Sequence, residues 1–237
     1  MVVNQRIQGL RCVQVQSRVV LVVEDNDLLR GLIANAIVSK GFVVHSAADA
    51  SEAKRLFRAH DPDGVVLDVD LGPGPTGFDL AKIISSEAPG TGIVFLTQLP
   101  DSRFASTSVH HLPAGVAYIR KSALSDMEVL FDALDAALRG EGRDTIRHDL
   151  ESDRPFARLT PKQIEVLRLM AQGKSNAQIA EIRGSSLKAT EDAIRRACVA
   201  IGVSNDVQGN SRTTAVARYL TVVGTANTAE TNRVGSD

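Results

Sequence analysis

Between residues 18 and 139 short apolar runs alternate with segments whose apolar positions recur every three or four residues. Val19–Val23 is a continuous β-branched run, which suits a strand buried on both faces of a parallel sheet. Leu28, Leu29, Leu32, Ile33, Ala36 and Ile37 then form a helical stripe that stops at Gly41. The alternation repeats. It predicts strands at Phe42–Val44, Gly64–Val69, Gly92–Thr97 and Val116–Ile119. Helices are predicted around Ala53–Phe57 (capped by Asp49 or Ser51), Phe78–Ile84 and Met127–Leu138. A Gly/Pro loop, Gly72–Gly77, follows the third strand, and Asp101–Pro113 carries the weakest pattern, that of a poor helix. Five strands alternating with helices predict an α/β fold, a five-stranded parallel doubly wound sheet covered on both faces.

The pattern changes after residue 139. Residues 140–158 are polar and charged, the composition of a linker. From residue 159 to 223 only helical patterns remain, predicting a small all-α bundle. Thr160-Pro161-Lys162-Gln163 is a complete helix start, with Thr160 as cap, Pro161 in the first turn and Gln163 closing a capping box. Further helices are predicted at Asn176–Ile182, after a tight turn at Gly184-Ser185-Ser186 (Leu187–Ile201), and at Thr213–Val222. The divisions expected are an extension over 1–17, an α/β domain over 18–139, a linker over 140–158, a helical domain over 159–223 and a disordered tail over 224–237.

Charge sharpens this division. The α/β part holds eleven Lys and Arg against sixteen Asp and Glu, while residues 159–220 hold nine against five. An acidic part suited to a cation is thus joined to a basic part suited to a polyanion. Cys12 and Cys198 have neither disulfide nor metal spacing and fit a reduced, cytoplasmic setting. No stretch approaches the ~20 apolar residues of a membrane span, so no membrane partner is expected. His110-His111 lacks partners at ligand spacing, and the Gly/Pro loop lacks the Gly-Lys-Ser/Thr of a phosphate-cradling loop.

In an open parallel sheet, chemistry gathers beyond the carboxyl ends of the strands. Here those ends carry Glu24-Asp25, Asp68, Thr97 and, just past the fifth strand, Lys121. Clustered carboxylates form a hard oxygen site suited to Mg²⁺. A carboxylate can also attack phosphorus, and the incoming charge then needs a cation, an ammonium and a hydroxyl. Singly, each residue is ordinary: an Asp at a strand end is usually a cap and a Lys usually a solvated charge. Their order along successive strands is not. The segments VVLVVED, VVLDVDLG, GIVFLT and AYIRK resemble the flavodoxin-like receiver domain of two-component signalling. That resemblance implies Asp68 as phospho-acceptor and Mg²⁺ held by Glu24, Asp25, Asp68 and the carbonyl of Asp70. It also implies Thr97 and Lys121 on the phosphoryl group, and Tyr118 as a rotamer switch. The chain departs from the family at Gln98, where a small residue is usual and where a larger one narrows access to Asp68. It departs again at the Gly72–Gly77 loop, at Ser122 in place of a Pro, and in the irregular segment before Tyr118.

The helical part resembles the LuxR-type helix-turn-helix domain of NarL/FixJ-type response regulators, through LTPKQIEVLRLMAQGKSNAQIAEIRGSSLKATEDAIRRACVAIGV. The likeness implies that the third helix enters the major groove of double-stranded DNA. Lys174, Ser175, Asn176, Lys188, Thr190, Arg195 and Arg196 are the expected contacts. Glu191 and Asp192 depart from the family, which usually has Lys at the Glu191 position, and Asp206–Ser211 reads as an insertion.

Three functions compete. The first is a transcriptional response regulator, not an enzyme, phosphorylated by a sensor histidine kinase and pairing as a homodimer when phosphorylated. The second is a phosphorylation-switched interaction protein without DNA binding, which the acidic Glu191 and Asp192 favour. The third is an aspartyl-phosphate phosphatase, because Asp68-Val69-Asp70 resembles the Asp-x-Asp motif of haloacid-dehalogenase-type enzymes. That motif belongs on a first strand, whereas Asp68 follows the third.

Overall fold

A computed structural model describes residues 17–105, 112, 113, 115–140, 146–203 and 211–224. Five strands are present: β1 (Val19–Val23), β2 (Val43–Ala47), β3 (Gly64–Leu67), β4 (Gly92–Thr97) and β5 (Ala117–Arg120). They form one parallel sheet in the order β2-β1-β3-β4-β5. The predicted strands are therefore all found, with ends displaced by one to three residues at β2, β3 and β5.

Helices cover both faces. The side chains of Val20, Val22, Val66, Val94, Leu96 and Ile119 pack with α1 (Asp27–Ser39) and α4 (Glu128–Leu138). Leu21, Val23, Leu67, Phe95 and Tyr118 face the other way, toward α2 (Ala50–His60) and α3 (Gly77–Glu87). This is why the strands read as unbroken apolar runs: alternate residues enter two different cores. Asn26 caps α1, Asp49 caps α2, and Thr76 with Asp79 forms a capping box on α3. Gly77 sits so close under β3 that a Cβ there would lie 2.0 Å from the Asp68 carbonyl oxygen, so this glycine lets α3 begin directly beneath β3.

The structure refines two expectations. The apolar stripe of α1 is not uniformly buried: Leu28 and Leu32 are 78% and 54% exposed, and the helix buries Ile33 and Ile37. Between β4 and β5 the expected poor helix is a single 3₁₀ turn, Ser102–Phe104, among the described residues. His110-His111, residues 1–16 of the expected extension, residues 206–210 of the expected insertion and residues 225–237 of the expected tail lie outside the described residues.

The C-terminal part is α5 (Pro161–Ala171), α6 (Asn176–Ile182), α7 (Leu187–Ala200) and α8 (Ser211–Val223). Thr160/Gln163 and Ser175/Gln178 form capping boxes, and Ser186 caps α7. Of the stretch expected as a linker, the described residues 146–158 are packed. They pair with the edge of β5: Tyr118 donates its N–H to Ile146 O (2.8 Å) and His148 donates to Tyr118 O (3.0 Å).

The two parts share one core. Phe104 is fully buried, with Phe156 on one side (6.1 Å between ring centroids) and Tyr219 on another (6.2 Å). Around it, the buried Asp101 carboxylate accepts from Arg103 and from Arg154 (2.9 Å). Arg103 also donates to the Leu159 carbonyl, and Arg168 to the Ala105 carbonyl (3.0 Å). Burial raises the Asp101 carboxyl, but Arg103 and Arg154 outweigh it and hold its pKa below the usual value. Phe104→Ala should therefore lower stability by about 3–5 kcal/mol. Because the ring is shared, scanning calorimetry should show the single transition of the wild type splitting into two.

Candidate phosphorylation site and helix-turn-helix

At the carboxyl edge of the sheet, β1 delivers Glu24 and Asp25, β3 delivers Asp68, β4 ends in Thr97, and the 3₁₀ turn after β5 begins with Lys121. Glu24 and Asp68 are buried, and one ammonium lies between them: Lys121 Nζ is 2.8 Å from Glu24 Oε2 and 2.7 Å from Asp68 Oδ2. Asp25 stands exposed at the rim, and the three carboxylates can bring oxygens within 4.8 Å of one another. Asp70 lies in the wall of the same pocket, and its backbone N–H donates to Asp68 Oδ1 (3.3 Å). Thr97 is buried beside the pocket, and its hydroxyl oxygen accepts from the Leu99 N–H (3.3 Å). The Tyr118 ring is turned inward, with its hydroxyl donating to Leu99 O (2.9 Å).

Two carboxylates sharing one ammonium are under-compensated. Burial pushes the Asp68 carboxyl from 3.8 up to about 7, with Lys121 opposing and Glu24 reinforcing the rise. Glu24 is raised for the same first reason, burial. Burial works against the Lys121 ammonium, yet Asp68 and Glu24 together hold its pKa above the ordinary value. Tyr118 is lifted well above 10 by burial and stays a neutral hydrogen-bond donor. The donor set fits a hard divalent cation: all oxygen, net negative, one ligand exposed to solvent.

Comparison with known proteins follows the same lines. Residues 20–134 match the family described as response regulator receiver domain, and residues 157–208 match the bacterial regulatory proteins of the luxR family. The oxygen regulatory protein NreC of Staphylococcus haemolyticus is 30% identical over 165 residues, which cover 63% of this chain and 74% of that protein. The transcriptional regulatory protein LiaR of Bacillus subtilis is 27% identical over 201 residues, covering 80% of this chain and 93% of its own.

The chain belongs to the response-regulator family.

Solved structures of RcsB share the fold. One, of two dimers on two parallel DNAs, has a TM-score of 0.56 at 24% identity, covering 87% of this chain and 99% of that one. Another, from Salmonella enterica serovar Typhimurium bound to promoter rprA with a phosphomimetic, has 0.52 at 23%, covering 86% and 98%. This response regulator thus carries a receiver followed by a LuxR-type helix-turn-helix.

In the helix-turn-helix the expected DNA contacts divide. Lys188, Arg195 and Arg196 are exposed on α7, as is Glu191, and Arg195 pairs with Asp192 at 3.3 Å. Thr190 is fully buried, its hydroxyl 2.9 Å from that of Ser185, so it braces the turn and is not a surface contact. Its position in sequence had placed it on the outer face; the turn of α7 places it inward. Ser175 spends its hydroxyl capping α6, and the Asn176 side-chain oxygen accepts from Arg212 (2.9 Å). Arg212 also donates to the Lys174 carbonyl, tying the start of α8 to the start of α6. Nothing in the sequence marked Arg212, because its partners are thirty-six and thirty-eight residues away. Val223 likewise enters the wall of the acidic pocket without a sequence signal.

Asp68 binds its proton more tightly in the folded chain than in the unfolded one. The stability it lends is therefore present at low pH and is lost as pH rises from 3.8 through about 7. Without divalent cation, Asp68→Asn should be more stable than wild type at pH 8, by about 1 kcal/mol or more, roughly 2–4 °C in Tm. The gap should narrow at pH 6. Lys121→Met, which leaves both carboxylates uncompensated, should move Tm the other way; thermal melts at the two pH values check both signs.

Proposed function

We propose that the chain is a DNA-binding transcriptional regulator switched by phosphorylation of Asp68. The observation that carries this reading is the buried Asp68 carboxylate held 2.7 Å from Lys121, at an edge that also presents Glu24, Asp25 and Thr97. Ionised Asp68 attacks the phosphorus of a phosphoryl donor. A new O–P bond forms as the P–N bond of a phosphohistidine, or the P–O bond of an acyl phosphate, breaks and the leaving group departs with the bonding pair. A sensor histidine kinase is the donor that the family membership supports. Lys121 sits where it can neutralise a phosphoryl oxygen, and Thr97 offers a hydroxyl to another. Glu24, Asp25, Asp68 and the carbonyl of Asp70 would hold Mg²⁺, which supplies charge neutralisation for the phosphoryl oxygens. Asp68 would act once per donor as an acceptor, a switching role and not an enzymatic one.

The route outward runs through Tyr118. Its side chain bonds to Leu99, two residues past Thr97, and its backbone pairs with Ile146 and His148 of the connecting stretch. A shift of Thr97 toward a phosphoryl group would therefore reach that stretch directly. Lys188, Arg195 and Arg196 are exposed while the two parts are docked, so release of the helical domain is not needed to uncover α7. This supports pairing of two chains on DNA as the phosphorylated state. The domain limits this reading uses are 18–139 for the receiver and 159–223 for the helix-turn-helix, in a cytoplasmic protein.

The test is DNA binding at low salt, with and without acetyl phosphate and Mg²⁺, for wild type and Asp68→Asn. Binding that tightens with phosphate in wild type alone supports the reading; binding by neither form sinks it in favour of a protein partner, which the acidic Glu191 and Asp192 would suit. Within the same assay, Lys188→Ala or Arg196→Ala should weaken binding across sequences and lower the salt slope by about 1 each if the side chain meets a phosphate.

A further inference from the structure

The acidic pocket, about 800 Å³, is not built by the receiver alone. One side is α1, where Leu28 and Leu32 stand exposed at 78% and 54%. The lining also includes Gln98 and Leu99, directly after Thr97, and Val223, the last residue of α8. Val223 is nearly fully buried, so it is packed into this wall and does not hang over it. The next residue, Gly224, ends α8 with φ +80° and donates to Leu220 O (2.9 Å). Its backbone lies so near the Gln98 side chain that a Cβ on Gly224 would be 2.3 Å from Gln98 Oε1. The last helix of the DNA-binding domain therefore ends against the residue that follows Thr97, and the Asp101–Arg103–Arg154 cluster and Phe104 hold it there.

We infer that Val223 and Gln98 are wall residues of the phosphorylation site that set how fast Asp68 gains and loses its phosphoryl group. This rests on Asp68 being the acceptor. A donor must approach Asp68 in line with the bond being formed, and the water that later hydrolyses the aspartyl phosphate needs a similar path. A wall supplied by another domain restricts both. The same wall makes the rate depend on docking: whatever loosens α8 from the receiver widens access to Asp68. In linkage terms, the state with α8 displaced and the state with Asp68 accessible are coupled, so each promotes the other.

The experiment measures phosphorylation of the full chain by acetyl phosphate with Mg²⁺, on phosphate-affinity gels, and the half-life of the product after donor removal. Val223→Ala and Gln98→Ala shorten the wall. Arg103→Ala loosens the docking while leaving both wall residues in place. Val223→Phe fills the pocket side. Melting curves establish that each variant is folded. The wall predicts phosphorylation at least threefold faster and a shorter product half-life in the first three, and slower phosphorylation in Val223→Phe. Rates within twofold of wild type in Val223→Ala, Gln98→Ala and Val223→Phe would overturn the wall while leaving Asp68 as acceptor. No phosphorylation in wild type or in any opened variant would instead overturn the acceptor reading, and the wall with it.

Discussion

The arrangement at the receiver edge depends on one ammonium placed between two buried carboxylates. Lys121 reaches Glu24 and Asp68 from the turn after β5, bridging strands that are not neighbours in the sheet. One positive charge does not balance two buried negative ones, and the site suits a further cation. The same imbalance suits the site to a divalent cation. The sheet makes this possible because parallel strands bring every carboxyl end to one edge, whatever their separation in sequence.

The second determinant is the contact between the two parts. Asp101, Arg103 and Phe104 stand where the sequence pattern was weakest, between β4 and β5, and with Arg154 of the connecting stretch they join the receiver to the helical domain. The connecting stretch extends the sheet at β5 through Tyr118. The ring proposed to move on phosphorylation is thus bonded at its backbone to the chain leading to the output domain. The last residue of α8 stands in the pocket wall.

How much of this could be read from the chain differs by element. The parallel sheet was legible because continuous Val/Ile/Leu runs and helical stripes have different periods. The acidic site was legible because each strand end lies at a fixed place relative to its strand. The capping boxes at Thr160 and Ser175 were legible because capping is local, a matter of three residues. The stripe on α1 misled at Leu28 and Leu32, because periodicity shows that a helix has an apolar face but not how far the sheet reaches beneath it. Thr190 misled in the opposite way: its register in the third helix suggested a surface position, yet it is buried with Ser185 as its partner.

By itself, then, the sequence determined the order of elements and the residues gathered at the strand ends, both of which follow from local chemistry and strand direction. Only the tertiary structure decided that the stretch after residue 145 is packed along β5, that Arg212 ties α8 to α6, and that Val223 stands in the wall around Asp68. These are contacts between residues far apart along the chain. They depend on how segments distant in sequence are placed against one another, and no local spacing encodes that.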